Sequence, residues 1–219
     1  MTIPRSLTKR FLDLVAAIVI SPLVVVFRIG SSLNVSDRDI LFQSLSQLVG
    51  LFPGISGNFL RRAFYRRTLR HFPREATVGF CTTFATAEVT IGTGVYIGAF
   101  CHIGHCTIGR DSMLGNGVTL LSGRRAHGIE RTDVAMRFQP TSHETLEIGD
   151  DVWIGNNAIV MADLGSHCVV GAGSVVPKSV SAFSVVAGNP CRTIRVRNVG
   201  NVAVESSSDS NSGIENLTE

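Results

Sequence analysis

Residues 148–195 read IGDDVWIGNNAIVMADLGSHCVVGAGSVVPKSVSAFSVVAGNPCRTIR, and their spacing decides the fold. An aliphatic residue returns every six positions, with one shorter step, and glycine usually follows it. A second such series lies upstream between residues 91 and 120 and also has one shorter step, from Ile103 to Ile108. The two series are Ile91, Ile97, Ile103, Ile108, Leu114 and Leu120, then Ile148, Ile154, Val160, Leu164, Val170 and Val176.

Four positions after the aliphatic residue stands a small or β-branched residue, for example Thr107 after Ile103. A strand alternates its side chains between two faces, so a chain that turns a corner every six residues sends one aliphatic side chain per side inward. Glycine relieves crowding at such corners. A fixed period of this kind is typical of a solenoid, and the sequence therefore predicts a mainly β fold, a parallel β-helix with three sides to each coil.

The C-terminal run that ends in AGNPCRTIR resembles the hexapeptide-repeat acyltransferases, which include galactoside, maltose and serine acetyltransferases. The resemblance covers about residues 78–196. It implies a left-handed β-helix, a homotrimer with active sites between subunits, and acetyl-CoA as the acyl donor in the groove between neighbouring β-helices. The N-terminal region resembles extensions on relatives that modify surface polysaccharides.

The chain divides into three regions: residues 1–75, 76–197 and 198–219. The first holds an apolar stretch at residues 11–27 with basic residues on both sides, and an arginine-rich helical stretch at residues 58–70. Both features are typical of a membrane-associating helical region, and a full span, a re-entrant segment and an interfacial helix all stay open. The last region is polar, and its composition predicts a disordered tail.

Charge and cysteine usage restrict the partners and the compartment. A net charge of +3 argues against nucleic acid as the main partner. The five cysteines form no CxxC pair, which favours reduced thiols in the cytoplasm. Together with the apolar stretch, this predicts a protein on the cytoplasmic face of a membrane.

The repeat breaks between Leu120 and Ile148, and we interpret residues 122–146 as a catalytic loop. A sugar hydroxyl needs a general base to attack a thioester, and histidine suits this task because its pKa lies near the working pH. The resemblance favours His127, which stands soon after the chain leaves the coil. His143 stays open as the alternative, because some relatives place their histidine where Arg125 stands here.

The resemblance also implies a set of residues for the coenzyme A donor. Trp153 would lie beside the pantetheine arm, small residues would let that arm approach the backbone, and basic residues would bind phosphates. The set is Trp153, Asn156, Ala172, Gly173, Lys178, Arg192 and Arg195. The alternatives are subunit packing for Trp153 and solvated charges for the three basic residues.

The function predicted is that of an acyl-CoA-dependent O-acyltransferase that acts on a sugar hydroxyl of a surface polysaccharide or a lipid-linked glycan precursor. One alternative is a non-enzymatic β-helix scaffold. Another is a metal enzyme like the γ-carbonic anhydrases, which share this fold and bind zinc through histidines that include an H-x4-H pair. No two histidines here have that spacing, and His102 and His105 stand only three apart, so no metal is predicted.

Overall fold

The structure is a computed structural model that describes residues 5–32, 38–123, 128–142 and 144–197. Three helices come first: α1 (Arg5–Ser32), α2 (Arg38–Gly50) and α3 (Gly54–Thr68). Fifteen short strands follow among the described residues, with a 3₁₀ turn at Met136–Phe138. The strands are β1 (Thr77–Val78), β2 (Thr83–Phe84), β3 (Thr90–Ile91), β4 (Tyr96–Ile97), β5 (His102–Ile103), β6 (Cys106–Ile108), β7 (Met113–Leu114), β8 (Thr119–Leu120), β9 (Leu146–Ile148), β10 (Trp153–Ile154), β11 (Ile159–Val160), β12 (Val169–Val170), β13 (Val175–Val176), β14 (Ser184–Gly188) and β15 (Cys191–Val196).

The strands stack into three sheets that form the sides of a coil. The largest sheet has the order β1-β4-β7-β10-β12-β14-β15, the second β13-β11-β8-β5-β2, and the third β3-β6-β9. All pairs are parallel except the last, where β15 folds back antiparallel on β14. Single bridges from Ile148 to Leu164 and from Leu164 to Val180 continue the third side. The predicted parallel β-helix with three sides is confirmed.

The interior of the β-helix is the column of aliphatic residues that the two repeat series identify. All twelve side chains of these series are at most 2% exposed. Where the repeat shortens, the buried residue before Ile108 is Cys106, at 1% exposed, and not Thr107. The step from Ile103 to Ile108 is one residue short, so the inward position moves back by one and Thr107 faces outward.

Glycine at the corners permits adjacent coils to approach closely. A Cβ atom built on Gly155 would lie 2.5 Å from the backbone nitrogen of Ala172 in the next coil. No side chain tolerates that distance. The glycine that follows the aliphatic residue is therefore required by the spacing between coils.

Helices α2 and α3 pack on the first coil and close this end of the β-helix. The ring of Tyr65 lies 4.6 Å from that of Phe84, centroid to centroid. The hydroxyl of Ser46 accepts a hydrogen bond from the Phe84 N–H at 3.1 Å and lies 2.9 Å from the Tyr65 hydroxyl. Arg61 donates through Nε to the carbonyl oxygen of Val78 at 2.9 Å. This helical cap covers apolar and polar groups that the first coil would otherwise expose.

The arginine-rich helix differs from the membrane-facing helix that the sequence predicted. Arg61 is only 2% exposed and Arg62 only 6%. Arg62 donates through Nη2 to the carbonyl oxygen of Arg74 at 2.6 Å, and burial lowers the pKa of both guanidinium groups. These two side chains bind carbonyl oxygens at the junction with the β-helix, so the expectation that they contact a membrane was wrong. Arg66 and Arg67 do lie exposed.

Candidate active site

The loop that interrupts the repeat leaves the β-helix at the corner between the second and third sheets. The chain departs after β8 and returns to β9, and the Glu144 N–H donates to the carbonyl oxygen of Ser122 at 3.0 Å where the two ends meet. Within residues 128–142, Gln139 is buried and donates through Nε2 to the carbonyl oxygen of Arg131 at 2.7 Å. The described part of the loop is thus held by its own hydrogen bonds.

The two candidate bases, His127 and His143, lie outside the described residues. The structure describes the residue that follows each histidine. The Gly128 N–H donates to the Pro140 carbonyl oxygen at 2.8 Å, and the Glu144 N–H donates to the Ser122 carbonyl oxygen. Both histidines therefore adjoin ordered backbone of the same loop. The structure does not choose between them.

One acidic residue of the loop, Asp133, forms an ion pair with Arg131. Arg131 donates through Nε to its carboxylate at 3.0 Å, and this hydrogen bond holds the pKa of Asp133 below its ordinary value. Glu130, by contrast, lies exposed. Asp133 is therefore a poor choice for orienting a histidine base.

Six of the predicted donor residues lie on or beside the largest sheet, since Arg192 and Arg195 stand on its last strand, β15. Trp153 points outward from β10 and is 54% exposed. Ala172 and Gly173 are exposed at the corner before β13, and Gly173 has φ +67°, a conformation that favours glycine. At the same corner, the Asn156 side-chain oxygen accepts a hydrogen bond from the Asn116 N–H at 2.8 Å. Asn156 thus links two coils through this hydrogen bond.

The basic donor residues lie at the C-terminal end of the β-helix. A cavity of about 410 Å³ opens there, and both Lys178 and Arg192 line it together with Cys191. Arg195 follows on β15, where it pairs with Val185 of β14. Among the residues that the structure describes, none forms an ion pair or a side-chain hydrogen bond with Lys178, Arg192 or Arg195. Within the described part of the chain, these three cations thus face solvent without an ion-pair partner.

The largest sheet places donor residues of both groups on one side of a single chain. Trp153 pairs with Val169, Val169 with Val185, and Val185 with Arg195, so Trp153 and Arg195 lie in one row, three strand spacings apart. Trp153 does not line the cavity that Lys178 and Arg192 line.

Two more cavities follow the edge from which the loop departs. One of about 120 Å³ is lined by Gly123, Glu144, Asp163 and Ser179, and Ser179 also lines the larger cavity. The other, of about 330 Å³, lies between α2 and the β-helix and reaches Ser122. The three cavities thus lie beside the C-terminal basic residues, the root of the loop and the helical cap, respectively.

The cavity beside α2 holds polar residues that the sequence analysis did not assign to a site. These are Asp39, Gln43, Glu88 and His105. They come from distant parts of the chain, and only the packing of α2 against the coil brings them together. The Glu88 carboxylate accepts hydrogen bonds from Arg70 Nε at 3.0 Å and from Arg38 Nη1 at 3.1 Å. The hydrogen bond from Arg70 lowers the pKa of Glu88.

Comparison with known families agrees with this geometry. The bacterial transferase hexapeptide family, defined by six repeats, matches residues 88–122. The hexapeptide repeat of succinyl-transferase matches residues 146–178. The two matches flank the loop and coincide with the coils of the β-helix. Both matched segments are hexapeptide repeats of the kind found in transferases, and the chain is similar to that family over these residues.

Curated relatives of this hexapeptide-repeat protein are acetyltransferases. Galactoside O-acetyltransferase of Escherichia coli K12 is 36% identical over 92 residues, which cover 41% of this chain and 43% of the relative. Chloramphenicol acetyltransferase of Agrobacterium fabrum is 46% identical over 52 residues, 23% of this chain and 25% of the relative. The matched segment thus spans less than half the length of these relatives.

Solved structures share the fold of this hexapeptide-repeat protein over a longer stretch. A maltose O-acetyltransferase from Clostridium difficile 630 superposes with a TM-score of 0.64 at 21% identity, covering 73% of this chain and 88% of its own. A hexapeptide-repeat acetyltransferase from Vibrio cholerae in complex with acetyl-CoA gives 0.62 at 21% identity, with 75% and 91% covered. These neighbours establish the left-handed β-helix.

Proposed function

We propose that this protein transfers an acetyl group from acetyl-CoA to a hydroxyl of a sugar acceptor at the cytoplasmic face of a membrane. The observation that carries the proposal is the set of unpaired cations, Lys178, Arg192 and Arg195, at the C-terminal end of a left-handed β-helix of this family. A cavity with two of these cations on its wall suits the phosphates of coenzyme A.

The reaction requires one general base and one hydrogen-bond donor to the oxyanion. In the proposed reaction His127 takes the proton of the acceptor hydroxyl while its oxygen attacks the thioester carbonyl. A backbone N–H stabilises the oxyanion of the tetrahedral intermediate. Collapse of the intermediate breaks the carbon–sulfur bond, the histidine returns the proton to the departing sulfur, and the products are an O-acetyl ester and free coenzyme A.

The arrangement of cavities supports a path for the two substrates. The donor phosphates would bind at Lys178 and Arg192, and the thioester would extend along the edge toward the root of the loop near Ser122. The acceptor would enter the cavity beside α2, where Asp39 and His105 offer polar groups for sugar hydroxyls.

The exposed side chain of Trp153 supports a homotrimer. Its outward position on the largest sheet leaves it free to contact a donor bound to a neighbouring copy. In the proposed assembly each donor lies in the groove between two β-helices.

The neighbourhood of the acceptor cavity supports a lipid-linked sugar or nascent polysaccharide. Arg38, at the start of α2, lies with its guanidinium carbon 5.8 Å from the centre of the Phe27 ring of α1. The cavity therefore adjoins the helix that carries the most exposed apolar surface of the described chain. An acceptor anchored in the same membrane would reach this cavity without leaving the surface.

The test uses full-length protein in detergent with radiolabelled acetyl-CoA and three acceptors: a simple galactoside, a polyprenyl-linked disaccharide and water alone. Release of coenzyme A with label recovered in a hydroxylamine-sensitive ester on a sugar acceptor is the expected result. Binding of coenzyme A without transfer to any sugar would overturn the acceptor class. Absence of both binding and transfer would favour the non-enzymatic scaffold.

A further inference from the structure

Helix α1 is apolar on both of its sides, and only one side packs on the protein. The inner side is buried at Ala16, Ile20, Val24 and Phe27, each at most 5% exposed. The outer face of α1 consists of large apolar residues that are each at least 39% exposed. They are Phe11, Leu12, Leu14, Val15, Ile18, Val19, Val25, Val26 and Ile29.

This outer face is too large and too apolar for water. Soluble monomers rarely expose a contiguous apolar patch beyond a few hundred Å², whereas here nine large side chains lie along one helix. Residues 8–32 form a helix that is long and apolar enough to cross a membrane, by length and composition. A helix that is apolar all round belongs in a protein core or a membrane, and the core accounts for the inner side only.

Contacts at both ends of α1 hold it along the protein. Near its start, Asp13 accepts a hydrogen bond from Arg74 Nη2 at 2.7 Å and lies 3.6 Å from Arg62. Near its end, the Phe27 ring lies 5.5 Å from that of Phe42. A transmembrane orientation would pull one end away and leave Asp13 without its partners in hydrocarbon, where an unpaired charge is costly.

The charges on α1 favour a lipid surface over a second copy of this chain. The exposed ends carry Lys9, Arg10 and Arg28, while Asp13, which is the only acid of α1, turns toward Arg74. Pairing two outer faces would bring cations near cations in either direction, without an acid to offset them. Anionic headgroups at the two ends of the apolar face would attract and neutralise these cations.

We infer that α1 is a monotopic anchor: it lies flat in one leaflet of an anionic bilayer, with its outer face in the interfacial layer and both ends on the same side. Such helices bury their apolar face by about 5–10 Å. The inference rests on the membrane association within the proposed function and adds its geometry. It keeps the helix, the loop and the donor cavity in one compartment.

The depth of α1 can be measured because the chain has a single tryptophan, Trp153. In a Trp153→Phe background, Phe11→Trp, Ile18→Trp and Ile29→Trp each report one point of the outer face. On phosphatidylglycerol vesicles with brominated acyl chains, all three should be quenched more by shallow bromines than by deep ones. Deep quenching at position 18 with shallow quenching at positions 11 and 29 would indicate a span and overturn the inference, as would absence of quenching at all three.

A charge on the outer face gives the second measurement. Ile18→Glu should lower partition into these vesicles at least tenfold, whereas Ile129→Glu, on the loop, should not; the two isoleucines are 64% and 66% exposed. Equal loss in both variants would overturn the inference. So would an Ile18→Glu variant that loses self-association and keeps vesicle binding, since the outer face would then bind a second copy.

Activity toward a soluble sugar separates this inference from the proposed function. If Ile18→Glu loses vesicle binding but still transfers acetyl groups to a soluble sugar, the substitution affects the anchor and not the enzyme.

Discussion

Arg74 donates to Asp13 through Nε at 3.1 Å and through Nη2 at 2.7 Å, and this pair joins α1 to the residues that lead into the first coil. The Asp13 side chain is only 15% exposed, and Arg62, 7% exposed, approaches its other oxygen at 3.6 Å. One carboxylate therefore neutralises two arginines under the helix that we assign to the membrane.

Replacing Asp13 with asparagine should destabilise the helical cap. The change removes the ion-pair partner of the buried Arg62. Such losses cost about 3 kcal/mol when the pair is fully buried, and less is expected here because Arg74 is partly exposed. The melting temperature in detergent should fall by several degrees. Glu130→Gln, which changes an exposed loop acid, should leave it unchanged. Equal melting temperatures for Asp13→Asn and the natural chain would contradict the prediction.

The coils were predictable because each hexapeptide carries its own structural requirement. An aliphatic residue such as Ile154 must point inward, and the glycine after it, Gly155, must admit the next coil. Both requirements are local and recur along the chain. Where the period changes, as between Ile103 and Ile108, a count of four positions from Ile103 reaches Thr107, although the buried residue is Cys106.

The helical cap was less predictable because its side chains bind distant backbone groups. The sequence indicates that Arg61 is a surface cation in a basic helix. In the structure it donates to the carbonyl oxygens of Phe52 and Val78 inside the protein. The cavity with Asp39 and His105 likewise depends on how α2 docks. No spacing in the sequence records such contacts, so the position of this cavity could not be predicted from it.

Replacing His127 with alanine should lower kcat by roughly 10²–10⁴-fold, the usual contribution of a general base. Binding of coenzyme A, measured by calorimetry, should stay the same because the base does not hold the donor. His143→Ala is the matched variant from the other end of the loop. Near-normal turnover in His127→Ala with loss in His143→Ala would transfer the role to His143.

Replacing Arg192 and Arg195 together with alanine should raise the KM for acetyl-CoA at least about tenfold, since each charge-assisted hydrogen bond to a phosphate contributes about 1.5–3 kcal/mol. The KM for the sugar should change little, because only the donor carries phosphates. Arg197→Ala removes an equal charge nearby, but that side chain donates to the His167 carbonyl oxygen at 2.9 Å and should not affect donor binding. A similar rise in both KM values would indicate a structural role for β15.

Replacing Glu88 with glutamine should lower stability at neutral pH but not in acid. The hydrogen bond from Arg70 keeps the folded-state pKa of Glu88 below its ordinary value, and Arg38 adds to this. A carboxyl with a depressed pKa stabilises the fold above its unfolded value of about 4.3, and this contribution is lost as the pH falls through the folded pKa. The melting temperatures of Glu88→Gln and the natural chain should therefore converge below about pH 4. A constant difference from pH 7 to pH 3 would contradict this assignment.

The cysteines offer a test of the proposed donor cavity without any substitution. Cys101, Cys106 and Cys168 are buried, whereas Cys81 and Cys191 are partly exposed, and burial raises the pKa of Cys191 but leaves it accessible. Iodoacetamide at pH 8 should therefore modify Cys81 and Cys191 in the folded protein and spare the other three. Because Cys191 lines the cavity with Lys178 and Arg192, saturating coenzyme A should slow its alkylation several-fold.

Cys81 is the internal control for this footprint, since it lies at the opposite end of the β-helix, where its N–H donates to the carbonyl oxygen of Gly50. Mass spectrometry of the digested protein reports both rates in one sample. Adenosine should protect Cys191 less than coenzyme A does, because adenosine has no phosphate that Lys178 and Arg192 could bind. Equal slowing at Cys81 and Cys191 would indicate a general tightening of the fold. Unchanged alkylation of Cys191 would place the donor elsewhere, because a phosphate held by Arg192 in this cavity must cover the neighbouring thiol.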